Sequence, residues 1–170
     1  MGGSILDPAG GLAILNARIG RLGIRVRSSP WAMGDVEAIA KEIKKRADGS
    51  LTFLIGDSCG ANRLPLIASM VFPRKVAYIG CIQASIYCQA GCPHIGHNVE
   101  NAHIFYSDFA HTMGLGTYIP VCLDPPNNRG ATQYVQSYVP AAHPDDNDVE
   151  RVQNPILNDI KRILKEHEQR

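Results

Sequence analysis

The 170-residue sequence lacks several features that mark large classes of proteins. No apolar run approaches the roughly 20 residues that a membrane-spanning helix needs. The net charge is only +1 at neutral pH, which gives no electrostatic reason to expect binding to nucleic acid or to an anionic membrane surface. The first residues have no basic region followed by a long apolar stretch, so a secretory signal is not predicted. We therefore expect cytoplasmic residence.

The sequence also lacks a dense set of cysteines, and this bears on how the fold is stabilised. The chain has five cysteines, an odd number without the density of a disulfide scaffold: Cys59, Cys81, Cys88, Cys92 and Cys122. In a reducing compartment such cysteines are mostly free thiols, and we predict that here.

What the sequence does contain is typical of one folded domain over residues 1–170. Apolar residues make up 45% of the chain and charged residues 19%, which favours a globular protein over a disordered one. The length is sufficient for a single continuous core. We find no internal repeat, linker or low-complexity segment.

Helical and strand patterns alternate along this domain. Apolar residues at helical spacing predict helices over 11–22, 35–49 and 59–72, and a last helix beginning near 154. Apolar or alternating runs predict strands at 24–29, 51–55, 75–82, 102–107 and 133–139. This order predicts an α/β fold, a three-layer sandwich with a mostly parallel sheet between two layers of helices. In such folds chemistry collects at the carboxyl ends of the strands.

The stretch "LTFLIGDSCGAN", residues 51–62, places a G-x-S-x-G pattern at such a strand end. A serine in a tight strand-to-helix turn has strained backbone angles, and it crowds the residues two positions away on either side. Glycine at Gly56 and Gly60 relieves that crowding. The turn presents the Ser58 hydroxyl and directs the amide of Cys59 toward charge forming on a substrate oxygen. The pattern therefore favours Ser58 as a nucleophile.

"FLIGDSCGAN" resembles the nucleophile elbow of the α/β-hydrolase superfamily, in a form shortened at the N-terminus. The resemblance implies a carboxylate and then a histidine after the serine, because a serine needs an imidazole to take its proton and a carboxylate to orient that imidazole. His143, in a loop before the last helix, is the candidate base. Asp108 is the candidate acid, with Asp124 as the alternative. The resemblance also implies a second oxyanion donor, for which the amide of Gly3 is the candidate.

The function predicted from these residues is that of a serine hydrolase. It would cleave a small-molecule carboxylic ester, or a related acyl bond, through an acyl-enzyme and without a cofactor. A GDSL-type esterase is an alternative because "GDS" and "HP" both occur, although Pro140 stands where that family has Asp. A non-catalytic, hydrolase-like binding or structural protein is the other alternative. A missing first strand would leave a sheet edge exposed and invite pairing between chains as a homo-oligomer.

A metal site is the remaining possibility that the sequence raises. "CQAGCPHIGH" holds four ligand-type residues: Cys88, Cys92, His94 and His97. Zinc sites usually take paired ligands from two separated arms, whereas these four lie within ten residues without a long spacer. We therefore predict no metal site, with Cys81 or His103 as further ligands if a metal does bind.

Overall fold

The computed structural model of the protein describes residues 11–28, 35–82, 94–106, 133–139 and 149–170. Its helices are α1 (Gly11–Gly20), α2 (Asp35–Lys44), α3 (Leu64–Val71) and α4 (Asn154–Glu168). A 3₁₀ helix spans Ser58–Arg63, and a π-helical turn spans Val149–Gln153. The strands are β1 (Phe53–Asp57), β2 (Tyr78–Ile82), β3 (Asn101–Tyr106) and β4 (Gln133–Tyr138).

The four strands form one parallel sheet in the order β1-β2-β3-β4. Leu54 pairs with Ile79, and Phe105 pairs with Ser137. Because all four strands run in the same direction, their carboxyl ends meet at one edge of the sheet. Ser58 follows β1 at that edge.

Helices cover both faces of the sheet. Alternate strand residues pack with α2 and α3 on one face, where the buried set includes Ile43, Leu54, Ile67, Val71, Ile79, Cys81 and Ile104. The residues between them pack with α1 and α4 on the other face, where the set includes Leu15, Ile19, Tyr78, Ile82, Phe105, Ile156 and Ile160. The predicted α/β fold with a parallel central sheet is confirmed at this level, which many unrelated functions share.

One predicted element is wrong, and another divides in two. Residues 24–28 form no strand, and the side chains from 25 to 28 are exposed. Within the described ranges no strand pairs with them, so their alternating pattern has no sheet to join. The helix predicted from Cys59 begins as the 3₁₀ helix and becomes α3 at Leu64, with Pro65 in the first turn, where its missing N–H costs nothing.

The described part of the chain also bears on membrane insertion. Among these residues, no helix combines the length and the apolar character needed to cross a bilayer.

Candidate functional site

Ser58 lies in a strained backbone conformation directly after β1. Its φ of +53° is the only positive value at a non-glycine residue in the described part of the chain. Asp57, just before it, is still extended, so the chain turns sharply at the serine and enters the 3₁₀ helix. A left-handed serine costs about 1–3 kcal/mol and persists only where the surroundings impose it. The residue is buried, with only 4% of its surface exposed.

Position 56 must be glycine because the backbone after Ser58 passes very close to it. A Cβ atom at Gly56 would lie 2.8 Å from the carbonyl carbon of Gly60 and 2.9 Å from the amide nitrogen of Ala61. Both are backbone atoms, which cannot move aside as a flexible side chain can. A Cβ atom at Gly60 would meet nothing within 4 Å. The predicted crowding is therefore confirmed at Gly56 and wrong at Gly60.

Of the two cysteines near the turn, Cys81 is a free thiol as predicted and Cys59 is not. Cys59 is disulfide-bonded to a partner outside the described residues. Sequence spacing did not reveal this, because a disulfide depends on which segments meet in space. Cys81 is a free thiol in β2 whose Sγ lies 3.7 Å from the carbonyl oxygen of Ala61. Burial raises the pKa of the Cys81 thiol well above its usual value, which makes it a packing residue rather than a nucleophile.

The other predicted site residues fall outside the described part of the chain: Asp108, Asp124, His143 and Gly3. Topology nevertheless relates two of them to the serine. Asp108 comes two residues after β3 ends, and His143 comes five residues after β4 ends. Both strands end at the sheet edge where Ser58 lies. The triad of Ser58, His143 and Asp108 stays a prediction.

A different serine, histidine and carboxylate do meet in the described residues. Nδ1 of His103, in β3, lies 2.7 Å from Oδ2 of Asp159 in α4. Nε2 of the same imidazole lies 2.8 Å from Oγ of Ser137 in β4. In a neutral imidazole, Nδ1–H would donate to the carboxylate while Nε2 accepted from the hydroxyl. We call these three residues the His103 network.

His103 lies between the sheet and α4, whereas Asp159 and Ser137 are half-buried at the edge of this layer. His103 is 6% exposed, and its ring stacks on Phe105 with centroids 4.1 Å apart. Arg162 Nη2 lies 3.8 Å from the other Asp159 oxygen and donates to Asn101 Oδ1 at 3.0 Å. The positive charge therefore lies beside the carboxylate that holds the imidazole.

A phenol lies against the same carboxylate. Tyr78 is 1% exposed, and burial raises the pKa of its hydroxyl well above the usual value, with a further rise from the charge of Asp159. Tyr78 therefore stays neutral at physiological pH and adds no charge to the network.

The His103 network has the hydrogen-bonding pattern of a catalytic triad, but it lies in a different setting. Ser137 is inside β4, on the face that α4 covers, whereas Ser58 is on a turn at the carboxyl edge. The sequence pattern suggested His103 only as a further metal ligand. Two signals point to the network: polar residues at alternate positions 101 and 103 of an otherwise apolar strand, and Asp159 beside the inward stripe of α4.

The structure also describes two of the four ligand-type residues in 88–97. His94 and His97 are exposed, while Cys88 and Cys92 lie outside the described residues. In the part of the chain that is described, no three His, Cys, Asp or Glu side chains are grouped so as to hold a metal ion. Cys81 and His103, the suggested further ligands, are on opposite faces of the sheet.

No protein-family model matches the chain, and no curated protein or solved structure does either.

Proposed function

We propose that the protein is a serine hydrolase of the α/β-hydrolase type, with Ser58 as its nucleophile. The observation that carries this proposal is the turn itself. A serine at φ +53° follows a parallel strand, and Gly56 is packed against the backbone of Gly60 and Ala61. Backbone strain of this kind is stored at functional sites, and a strand-to-helix turn of this shape presents a hydroxyl for attack.

The proposed reaction is acyl transfer from a small-molecule carboxylic ester. The Ser58 hydroxyl attacks the carbonyl carbon while His143 accepts its proton, and His143 then returns that proton to the departing alkoxide. Asp108, or Asp124 in its place, orients the imidazole. The Cys59 amide, at the second position of the 3₁₀ helix, and the Gly3 amide would stabilise the oxyanion. Water then releases the acid, and no cofactor enters these steps.

The proposal also covers the cellular location and the oligomeric state of the protein. Cytoplasmic residence and a homo-oligomer belong to it, the latter because β1 is an edge strand of the sheet among the described residues. The disulfide at Cys59 is typical of an oxidising compartment instead. Thiol counting on protein from its native cells therefore tests the location: a reduced Cys59 supports the cytoplasm.

Hydrolysis of p-nitrophenyl esters of increasing acyl length tests the function. Ser58→Ala is expected to lower kcat by about 10³-fold or more, because the attacking atom is removed. Ser69→Ala is the matched control, since the Ser69 hydroxyl only donates to the Leu66 carbonyl on α3. A folded wild-type protein without activity on any ester would favour the non-catalytic alternative. Activity that survives Ser58→Ala would overturn the assignment of the nucleophile.

A further inference from the structure

We propose that the disulfide at Cys59 is a redox switch for the nucleophile, which a dithiol reductant opens and thereby lowers the hydrolase activity. This inference rests on the proposed function, in which Ser58 attacks the substrate and the Cys59 amide stabilises the oxyanion. The Cys59 side chain is a positioning group, because it affects the reaction only through the backbone that it holds.

The 3₁₀ helix that follows Ser58 is packed unevenly along its length. Ala61, in its second half, is completely buried, and its carbonyl oxygen lies 3.7 Å from the Cys81 thiol. Cys59 and Gly60, in its first turn, are only half-buried, and a Cβ atom at Gly60 would meet nothing within 4 Å. The core therefore fixes the second half of the helix, and the disulfide is attached where the packing is looser.

Backbone strain at Ser58 makes the place of this attachment important. A non-glycine residue at φ +53° relaxes to an ordinary conformation unless its surroundings prevent it. On one side of it, Asp57 is the last residue of β1 and pairs with Ile82 of β2. On the other side is Cys59, which is cross-linked. The hydrogen bonds of a 3₁₀ turn have poor geometry and restrain the backbone weakly, so the cross-link supplies the second restraint.

Opening the switch breaks one S–S bond and forms two thiols. A thiolate of the dithiol attacks one sulfur of the disulfide and releases the other cysteine of the protein, which takes a proton. The second thiol of the reductant then closes a ring and frees the remaining cysteine. The dithiol loses two electrons and two protons, and the protein gains them. Without the cross-link, Ser58 relaxes and the Cys59 amide turns away from the oxyanion.

Cys81 takes no part in this exchange. It is a free thiol with none of its surface exposed, and burial raises the pKa of that thiol well above its usual value. It therefore stays protonated and enclosed as long as the protein is folded. Alkylation of Cys81 by iodoacetamide consequently reports unfolding, which separates loss of the fold from opening of the switch.

The test compares oxidised protein with protein reduced by dithiothreitol, for the full-length wild type and for Cys59→Ala. We measure kcat and KM on the best p-nitrophenyl ester and divide kcat by the folded fraction from circular dichroism. Iodoacetamide labelling with peptide mass spectrometry gives the state of Cys59 and Cys81, and amide hydrogen exchange is followed in 57–64. Cys59→Ala treated with dithiothreitol is the matched control, because the effect of reducing any other disulfide appears there.

We expect reduction to lower kcat of the wild type by about 10- to 100-fold with little change in KM, since small displacements of groups that act on the transition state cost this much. Cys59→Ala should have the same low kcat with and without dithiothreitol. Exchange in 57–61 should become faster in the reduced wild type while Cys81 stays unlabelled, and reoxidation should restore kcat.

An unchanged kcat in wild-type protein whose Cys59 is labelled would overturn this inference but leave Ser58 as the nucleophile. So would a loss of activity that Cys59→Ala shows only after reduction, or one that vanishes on division by the folded fraction. A disulfide that dithiothreitol opens only when Cys81 is labelled as well would also overturn it. Folded, oxidised wild-type protein without ester activity would instead overturn the proposed function, and this inference with it.

Discussion

At the scale of single residues, the backbone angle of Ser58 and the missing side chain of Gly56 are two parts of one feature. The chain can turn at φ +53° only because the residue two positions earlier leaves room for the Gly60 backbone. The turn then continues into a helix whose carbonyl at Ala61 lies near the Cys81 thiol. Strain at the serine is therefore offset by packing on both sides of it.

Gly56→Ala tests this feature against a matched control, Gly60→Ala. The first places a methyl group 2.8 Å from a backbone carbon, and we expect it to lower the free energy of unfolding by about 1–3 kcal/mol. The second places a methyl group in open space and should change stability by less than about 1 kcal/mol. Urea denaturation measures both. Equal effects of the two substitutions would contradict the packing described for the turn.

Residue-scale features were predicted where the signal is local. Gly56 and Ser58 stand in a short motif whose backbone demands are known, so the strained turn and the need for glycine at position 56 could be predicted from adjacent positions. The His103 network could not, because its members are 34 and 22 residues apart along the chain and meet only through the strand register and α4. The disulfide at Cys59 was missed for the same reason.

At the scale of elements, α1 and α4 are joined by a polar contact at the edge of an apolar interface. The Arg18 guanidinium donates to Gln153, which is fully buried, and to Asn154 at the start of α4. Leu15 and Ile19, one turn or less away, pack in the same core as Ile156. The hydrogen bonds thus fix the register of two helices whose apolar contact alone is not directional.

Arg18→Ala should therefore destabilise the protein more than Arg21→Ala, because Arg21 is exposed and lies in the turn directly after α1. We expect a loss of about 1–2 kcal/mol for Arg18→Ala, at the lower end for a charged hydrogen bond because the site is only partly buried. For Arg21→Ala we expect within about 0.5 kcal/mol of wild type. Thermal unfolding with calorimetry gives both values, and an unchanged Arg18→Ala variant would be inconsistent with the described contact.

Elements with a clear pattern of apolar residues were predicted well. The strand predicted at 24–29 was not, because a strand also needs a neighbouring strand to pair with. The inward stripe of α4 and the fully apolar β2 follow from the sequence alone. Residues 24–28 alternate as a strand does, yet a strand forms only where another strand supplies hydrogen bonds. Alternation is thus a necessary signal for a half-buried strand and not a sufficient one.

At the scale of the whole molecule, one parallel sheet carries two cores, and each encloses a group that ionises at high pH. Cys81 belongs to the core under α2 and α3, and Tyr78 belongs to the core under α1 and α4. Burial raises the pKa of both groups in the folded protein. Ionisation of either group is therefore easier in the unfolded chain.

This predicts a loss of stability at alkaline pH. The contribution of Cys81 is complete below the unfolded thiol pKa of about 8.5, that of Tyr78 below about 10, and each decreases as pH rises beyond those values. The free energy of unfolding should fall by up to about 1.4 kcal/mol per pH unit for each group. Tyr78→Phe should flatten the upper part of the curve, whereas Tyr138→Phe, at an exposed tyrosine, should not. Urea denaturation from pH 7 to 11 measures the free energy of unfolding of both variants. If this free energy falls equally steeply with pH in the two variants, the buried Tyr78 hydroxyl does not cause the loss of stability.

The central claim is that the hydroxyl on the turn after β1 is the reacting group. The most direct measurement is peptide mass spectrometry of the folded wild-type protein after treatment with a fluorophosphonate. We predict one phosphonyl adduct, on the peptide containing Ser58, that is absent from the Ser58→Ala variant and from protein unfolded before treatment. An adduct on Ser137, or a folded protein that forms none, would contradict the claim.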